Sequence, residues 1–573
     1  MHLNDYREQF FPTPSSQQPS YFKEDRKTLI SFFFALSIYI IYMLYVQPHW
    51  LLDGEMWAEM ATNYYPNANA PSLFQKLFST DAGYIPAPQR IIALIGNQLN
   101  LSAAIIPYYY TWSGILLTGL LVCSFCLPQF RKLVKSDSLR FFTSITILLV
   151  ADFETRTFIN FTYFSAFFVA IITALALVDN SDEVPWWAWF TPILMISKPA
   201  VLAVLPIMFL VAFVSKSRFR WIVIVTIILC FGQFIQMLVS STTDTTPFQP
   251  TDITLVSKLL ATVLYFLGFL GGYITGHSLS LHHFILITIG LFVLFLIGHT
   301  ITKKRSSSNA LIIVGISILF FNILLNTFAL SSSWNTDLNI LPHVPVYRHI
   351  IVGFFGCILI TCGLICTLTN NNFSNSSSLF KDRVATLIFI LWLIISDWLA
   401  YGKQISKEPN APTLNSSQWQ IMSDSIDADV SHICVPINPW SNWMYKKGCD
   451  LLNSAPSWEN GSYKMEKNFI YNIAPPASLK NKTLVSVAIL LKSEKSDFQN
   501  VNVKMQIQLK NGSVKNLSNS KKVNHHGGLL LLSSDTTPIN DIANITLKFD
   551  IPVEAALDLH QPSNLPGLAW MGF

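Results

Sequence analysis

Two carboxylates directly follow the first hydrophobic segment of this chain. Asp53 and Glu55 stand between Trp50 and Trp57, just after the apolar run 29–46. That run has membrane-spanning length, and tryptophan is enriched where a membrane meets water. Ionised side chains at this depth are costly unless they are solvated, paired or functional. Two explanations stay open: a helix start capped by Asp53, or a pair used for acid–base chemistry.

The composition indicates a polytopic membrane protein. Of 573 residues, 51% are hydrophobic and 12% are charged, whereas soluble domains carry about 25% charged residues. No small-residue cleavage site follows the first run, so we expect it to stay as an anchor. The net charge of +5 gives no reason to expect nucleic-acid binding.

Apolar segments with polar breaks recur along the first 400 residues. They are 29–48, 107–127, 140–152, 158–178, 186–197, 199–214, 220–239, 258–276, 283–302, 310–330, 349–369 and 384–401. The break at Lys198-Pro199 predicts a broken or re-entrant hairpin, which needs shelter from lipid.

Basic residues predict the orientation of these segments. They cluster in five segments that we place in the cytoplasm: the N-terminal tail 1–28 and the loops 128–140, 215–220, 303–305 and 370–383. The first loop, 49–106, and the region after 402 then face outward. The basic loops 215–220 and 303–305 need an even number of crossings between them, and three candidate segments lie there. We therefore expect the glycine-rich segment 258–276 to be re-entrant or to lie at the outer interface. About 11 crossings remain.

The region 404–573 has a different pattern. It contains runs that alternate between apolar and polar residues, such as 483–489 and 501–507, and turns such as Asn511-Gly512. Period-two runs predict half-buried strands, and short strands over this length suggest a soluble, β-rich domain of β-sandwich type. Cys434 and Cys449 are spaced for one disulfide, which requires an oxidising compartment such as the periplasm. For the four tryptophans between Trp419 and Trp458, we expect core positions rather than a sugar-binding or membrane face.

Several short motifs occur in a fixed order on the predicted outer side. After Asp53 and Glu55 come Gly83, Tyr84, Pro86 and Arg90, then Asn160 near the start of a span, the hairpin residues Ser197, Lys198 and Pro199, and finally the pair Tyr347 and Arg348. This order resembles the membrane glycosyltransferases of the GT-C class, which use sugars carried on a polyprenyl phosphate. Within that class the chain looks most like the prophage-type O-antigen glucosyltransferases of serotype conversion. The Tyr347-Arg348 pair stands in reversed order here.

The resemblance implies roles for these residues. Asp53, or else Glu55, would take the proton of the acceptor hydroxyl. Arg90, Lys198 and Arg348 would hold the donor phosphate, where negative charge grows as it leaves. The secondary candidates are Tyr84, Arg156, Asn160 and His343. Each cation has a simpler explanation as a lipid head-group contact, and Asn160 as a bridge between helices.

The sequence therefore predicts a cytoplasmic tail 1–28, a transmembrane GT-C-like catalytic domain 29–403 and a periplasmic β-rich domain 404–573. The expected activity is transfer of a sugar, glucose first, from undecaprenyl phosphate to a glycan such as O-antigen in lipopolysaccharide, at the outer face of a bacterial inner membrane. No cofactor is indicated, although Asp53 or Glu55 remain able to hold a divalent ion. The alternatives are a transporter or lipid-linked-glycan flippase, and a sensor or assembly protein that acts through its β-domain.

Overall fold

The computed structural model divides the chain into two compact units. It describes residues 26–179, 184–215, 218–240, 255–276, 281–329, 350–372, 377–398, 418–440, 443–559 and 565–573. The first unit comprises Met1–Pro48, Ser72–Ile92 and Trp112–Ala411, and the second comprises His49–Pro71, Ala93–Thr111 and Pro412–Phe573. Two parts of the first loop thus group with the β-rich region, whereas the sequence placed the whole loop with the transmembrane domain.

Apolar α-helices make up most of the first unit. Within the described residues of both units, the α-helices are Arg26–Val46, Pro48–Leu52, Tyr65–Ala68, Leu73–Phe78, Ala87–Gln98, Ile106–Cys123, Asp137–Val150, Ser165–Val178, Thr191–Met195, Leu205–Val214, Phe219–Ser240, Leu255–Thr275, His283–Lys303, Asn309–Ala329, Ile351–Asn372, Ser378–Ile395 and Trp419–Asp427. Several of them could span a membrane, as expected for a multi-pass membrane protein.

Fewer helices reach membrane-spanning length than the sequence suggested. Within the described residues, 8 helices are long and apolar enough, or up to 9 if one bent pair forms a single span. The helix Asp137–Val150 has only 14 residues, against about 20 for a perpendicular span. The helix Ser378–Ile395 carries Lys381, Asp382 and Arg383 near its start. The predicted total of about 11 crossings is therefore not confirmed.

The glycine-rich segment 258–276 does not turn back on itself as a re-entrant segment would. It lies in one continuous helix, Leu255–Thr275, of 21 residues. A methyl group at Gly271 would clash with the backbone carbonyl of Leu286, and one at Gly290 would clash with that of Leu267. The glycines therefore serve close packing against the helix His283–Lys303, as small residues do between membrane helices.

The predicted break at Lys198-Pro199 is confirmed. The segments Trp186–Met195 and Pro199–Val214 meet at an angle of 116°. Proline has no N–H and disfavours helical geometry at the residue before it, so the helix ends before Lys198 and a new turn begins at Pro199.

Antiparallel strands make up most of the second unit. They are β1 (Ile433–Pro436), β2 (Met444–Lys447), β3 (Asp450–Leu451), β4 (Ser457–Met465), β5 (Ile470–Ile473), β6 (Thr483–Lys492), β7 (Gln499–Leu509), β8 (Val514–Val523), β9 (Gly528–Pro538), β10 (Ile542–Phe549), β11 (Val553–Leu557) and β12 (Leu568–Gly572). One sheet has the order β5-β10-β7-β8 and a second the order β3-β12-β6-β11-β4, with β9 also paired to β6.

Side chains from both larger sheets form one hydrophobic core. Strand β7 contributes Val501, Val503, Met505 and Ile507, and β6 contributes residues such as Val487 and Ile489. The alternation predicted for 501–507 is confirmed, because every second residue of β7 is exposed. The strand predicted over 483–489 is confirmed, but its expected half-buried pattern is wrong, because every residue of β6 from Leu484 to Leu491 is buried.

The tryptophans near the start of the β-rich region differ in burial. Trp419 is fully buried, and its indole N–H donates to the carbonyl of Ala103 at 2.7 Å. Trp440, Trp443 and Trp458 are partly buried. The expectation of core positions therefore holds fully for Trp419.

Candidate functional site

Asp53 lies in the second unit, at the end of a short helix. The helix Pro48–Leu52 precedes it, and His49, one helical turn earlier, approaches the Asp53 carboxylate with Nδ1 at 3.2 Å. The side chain of Asp53 is 46% exposed. Asp53 is therefore a solvent-accessible carboxylate beside an imidazole, which is an arrangement able to accept a proton.

Gly54 separates the two carboxylates by a turn. Its φ is +67°, where a side chain would be strained, and a Cβ there would clash with the ring of Tyr108. The side-chain amide of Gln420 donates to the Gly54 carbonyl. The turn is thus fixed by its neighbours, and it holds Asp53 and Glu55 in different surroundings.

Glu55 has protein partners within the second unit. Its Oε2 accepts a hydrogen bond from the backbone N–H of Trp419 at 3.0 Å. Trp419 begins the helix Trp419–Asp427, where N–H groups lack helical partners and a negative charge is favoured. Glu55 therefore caps a helix that lies 364 positions away in sequence.

Lys521, on strand β8, belongs to the same charged group. Burial holds the pKa of its amine below the ordinary lysine value, while the nearby carboxylates of Glu55 and Asp53 act in the opposite direction. The sequence analysis missed Lys521 because it sits in a polar alternating strand and resembles a solvent-facing lysine. His49 was missed as well, although its spacing of four residues from Asp53 on a helix was a usable signal.

In the first unit, Tyr84 and Arg90 stabilise the loop that contains them. Arg90 is 1% exposed, and its guanidinium donates to the carbonyls of Ser79 at 3.0 Å and Thr80 at 3.4 Å. The Tyr84 hydroxyl donates to the Asp81 carboxylate at 3.2 Å. The predicted motif residues thus fix the conformation of 79–90 at the start of the helix Ala87–Gln98.

This loop adjoins the break at Lys198-Pro199, more than 100 residues away in sequence. The N–H of Ala87 donates to the carbonyl of Ile196 at 3.0 Å. The Lys198 ammonium, partly exposed, lies 5.1 Å from the centre of the Tyr84 ring. A cation over a tyrosine face is attracted by the ring electrons, so Tyr84 helps to orient Lys198.

Gln233 joins the same two segments. Its Oε1 accepts from the N–H of Ile85 at 3.2 Å, and its Nε2 donates to the carbonyls of Ile85 and Ser197 at 3.3 Å and 3.2 Å. Sequence reasoning missed Gln233. The available signal was a glutamine inside the otherwise apolar run 220–239, where an unsatisfied amide is costly.

Arg156 and Asn160 stabilise a separate turn of the first unit. Arg156 donates to the carbonyl of Leu149 at 3.1 Å, and its guanidinium lies 5.1 Å from the Tyr42 ring centre. The Asn160 amide donates to the carbonyl of Glu154 at 3.0 Å. Both secondary candidates therefore have structural partners.

The remaining predicted site residues have the following positions. Arg348 and His343 lie outside the described residues. A disulfide joins Cys434, within strand β1, to Cys449, just after strand β2, with Cα atoms 5.7 Å apart. In the part of the chain that the structure describes, no group of three or more His, Cys, Asp or Glu side chains is placed to hold a metal ion.

Comparison with models of known protein families, with curated proteins and with solved structures finds no match to this chain.

Proposed function

We propose that this protein is a membrane glycosyltransferase that moves a sugar from a polyprenyl-phosphate carrier to a glycan hydroxyl. The observation that carries the proposal is the junction of loop 79–90 with the break at Lys198-Pro199. Two short motifs that suggested this enzyme class from sequence are in contact, and they bring a partly exposed ammonium to the surface of a tyrosine.

Lys198 is the leading candidate for the donor phosphate. A flexible ammonium supplies three N–H donors and a full positive charge, and such a charge stabilises a phosphate as its bond to sugar breaks. Arg90 is buried among carbonyl groups of its own loop, so its role is to position that loop. Arg348 stays a candidate for a second phosphate contact.

Asp53 is the proposed general base. During transfer the bond between the sugar C1 and the phosphate oxygen breaks, and the acceptor oxygen forms the new bond to C1. The hydroxyl proton passes to Asp53, and polyprenyl phosphate leaves with the bonding electrons. Asp53 is the more exposed of the two carboxylates, whereas Glu55 already accepts from a helix N-terminus. The proposed transfer covers either stereochemical outcome at C1, inversion or retention.

The setting proposed for this reaction is the outer face of a bacterial inner membrane. The basic segments of the sequence orient the carboxylates and Lys198 away from the cytoplasm, and the disulfide fits an oxidising compartment. Glucose on undecaprenyl phosphate is the first donor to test, and O-antigen in lipopolysaccharide is the first acceptor.

A transporter or lipid-linked-glycan flippase is the second candidate. The observation in its favour is the 116° break in an apolar helix pair, because broken helices also form transport sites. A flippase would move an intact lipid-linked glycan, whereas a transferase would release polyprenyl phosphate.

Substitution of Lys198 tests the proposed phosphate site. The variant Lys198→Ala should bind polyprenyl-phosphate sugar about tenfold or more weakly, because one charge-assisted contact is lost. Lys303→Ala is the control, since Lys303 is an exposed lysine at a helix end of the same unit. Binding is measured on purified protein in lipid nanodiscs. Equal donor affinity in both variants would remove Lys198 from the mechanism.

A further inference from the structure

An open cleft in the second unit has the lining of a sugar-binding site. It has a volume of about 700 Å³, within the range of about 300–1,000 Å³ that is usual for ligand pockets. Its lining residues come from the first-loop segments, from the end of the helix Trp419–Asp427 and from strand β2. All of these residues belong to the second unit.

Two tyrosine rings, one from the first loop and one from strand β2, line the cleft. The rings of Tyr65 and Tyr445 have centroids 6.0 Å apart, and both pack against the buried Trp419, at 5.2 and 5.4 Å. Burial raises the pKa of the Tyr65 and Tyr445 phenols, and nearby negative groups raise it further. The two tyrosines therefore stay protonated, each with an apolar face and a hydroxyl that donates and accepts hydrogen bonds.

Amide side chains also line the cleft. Asn69, Asn97 and Asn100 line the cleft together with Ser102, and the side-chain Nδ2 of Asn97 donates to the side-chain Oδ1 of Asn69 at 2.5 Å. An amide group both donates and accepts hydrogen bonds, as a sugar hydroxyl does. An asparagine side chain can therefore bind a hydroxyl group although neither is charged.

The charged residues of the cleft balance one another. Its lining includes two aspartates, Asp427 and Asp429, and two lysines, Lys446 and Lys447. Lys447 pairs with Asp429, Lys446 pairs with Asp450 at 2.6 Å, and Asp427 accepts from the N–H of Ala103 at 2.8 Å. This balance favours an uncharged ligand over a phosphate or a polyanion.

The cleft continues along strand β2 into a second cavity of about 400 Å³. The two cavities share Pro66, Tyr445 and Lys446, and Trp443 lines the second one. The disulfide between Cys434 and Cys449 fixes the hairpin that carries Tyr445. A rigid, elongated surface with aromatic residues along it suits several linked sugar rings, because less ordering is required on binding.

We propose that this cleft binds a linear, uncharged oligosaccharide, with Tyr445 against a ring face and Asn97 on the hydroxyl groups. The binding itself is independent of catalysis. Its use to engage the glycan acceptor rests on the proposed function.

The test is calorimetric titration of the full-length protein in nanodiscs with uncharged hexasaccharides. The panel contains maltohexaose, cellohexaose, isomaltohexaose and chitohexaose, with glycerol and hexagalacturonate as comparators. At least one hexasaccharide should bind at millimolar concentration or better, while glycerol and hexagalacturonate should not. Tyr445→Ala and Asn97→Ala should each weaken binding about tenfold, and Tyr445→Phe should weaken it less.

Matched variants outside the cleft serve as controls. Tyr463→Ala on β4 and Asn516→Ala on β8 belong to the same unit and do not line the cavity, so they should bind like wild type. No binding by any hexasaccharide, or unchanged binding by Tyr445→Ala and Asn97→Ala, overturns the proposal. Failure of sugar transfer together with normal hexasaccharide binding would contradict the proposed function and leave the cleft proposal intact.

Discussion

At the scale of single residues, the two carboxylates differ in what surrounds them. Asp53 is exposed next to His49, whereas Glu55 accepts from the Trp419 N–H and interacts with Lys521. Two residues of similar chemistry, separated by one glycine, are therefore expected to respond differently to removal of their charge.

We expect Asp53→Asn to lower turnover by about 10²-fold or more, because a general base typically contributes about 10²–10⁴-fold. Donor affinity should change little, since the donor phosphate is assigned to Lys198. Asp497→Asn is the control, because Asp497 is an exposed carboxylate in a loop of the same unit. Turnover and donor binding are both measured on the same preparations of each variant. Normal turnover in both Asp53→Asn and Glu55→Gln would contradict acid–base catalysis at this position.

For Glu55→Gln we expect a loss of stability that becomes smaller as pH rises. The variant removes the carboxylate that most favours the charged form of the partly buried Lys521, at a cost of about 1–3 kcal/mol near neutral pH. The pKa of Lys521 is already below its ordinary value, and losing Glu55 lowers it further. The unfolded chain then binds more protons than the folded one, so the free energy of unfolding rises with pH up to the ordinary lysine pKa.

Thermal unfolding of the purified chain between neutral and alkaline pH measures this effect. The double variant Glu55→Gln/Lys521→Met should recover most of the lost stability, because neither charge is left unpaired. A loss that is independent of pH and is not recovered in the double variant would mean that Lys521 and Glu55 are not coupled.

At the scale of elements, sequence patterns predicted what depends on local periodicity or on a single strong signal. The alternation in β7 and the break before Pro199 follow from such signals. The continuous helix over 258–276 was not predicted, because glycines can either interrupt a helix or allow a second helix to approach. The sequence alone does not distinguish these cases, and the contact with the helix His283–Lys303 decides between them.

Two glycines of the helix His283–Lys303 test this packing. Gly290→Ala should destabilise the protein by about 1–3 kcal/mol, because the added methyl group meets the Leu267 carbonyl of the neighbouring helix. A Cβ added at Gly298 would meet no atom within 4 Å, so Gly298→Ala should be neutral or stabilising by up to about 1 kcal/mol. The two variants are compared by their midpoints of thermal unfolding in detergent. Equal midpoints would argue against close contact of the two helices.

The disulfide gives a prediction about the β1–β2 hairpin and its compartment. Cys434 and Cys449 should resist labelling by a membrane-impermeant thiol reagent in unfolded protein until a reductant is added. The six other cysteines are buried thiols. They are replaced by alanine or serine, so that the reagent can label only Cys434 and Cys449. Labelling of both positions without reductant would rule out the disulfide and weaken the outward placement of this region.

At the scale of the whole molecule, the division into two units could not be predicted from local patterns. The segments His49–Pro71 and Ala93–Thr111 group with the β-rich region through contacts such as Glu55 with Trp419 and Ala103 with Asp427. These contacts join residues more than 300 positions apart and leave no periodicity in the sequence. The chain thus combines a helical unit that holds Lys198 with a unit that holds Asp53 and the cleft.

Direct assay of sugar transfer tests the central claim. Purified full-length protein in nanodiscs is supplied with radiolabelled sugars on undecaprenyl phosphate, glucose first, and with a panel of glycan acceptors. The account predicts that label moves to a glycan while undecaprenyl phosphate is released in equal amount, and that Lys198→Ala and Asp53→Asn lower this transfer whereas Lys303→Ala does not. Absence of transfer with every donor and acceptor, or movement of an intact lipid-linked glycan across the bilayer without release of undecaprenyl phosphate, would contradict it.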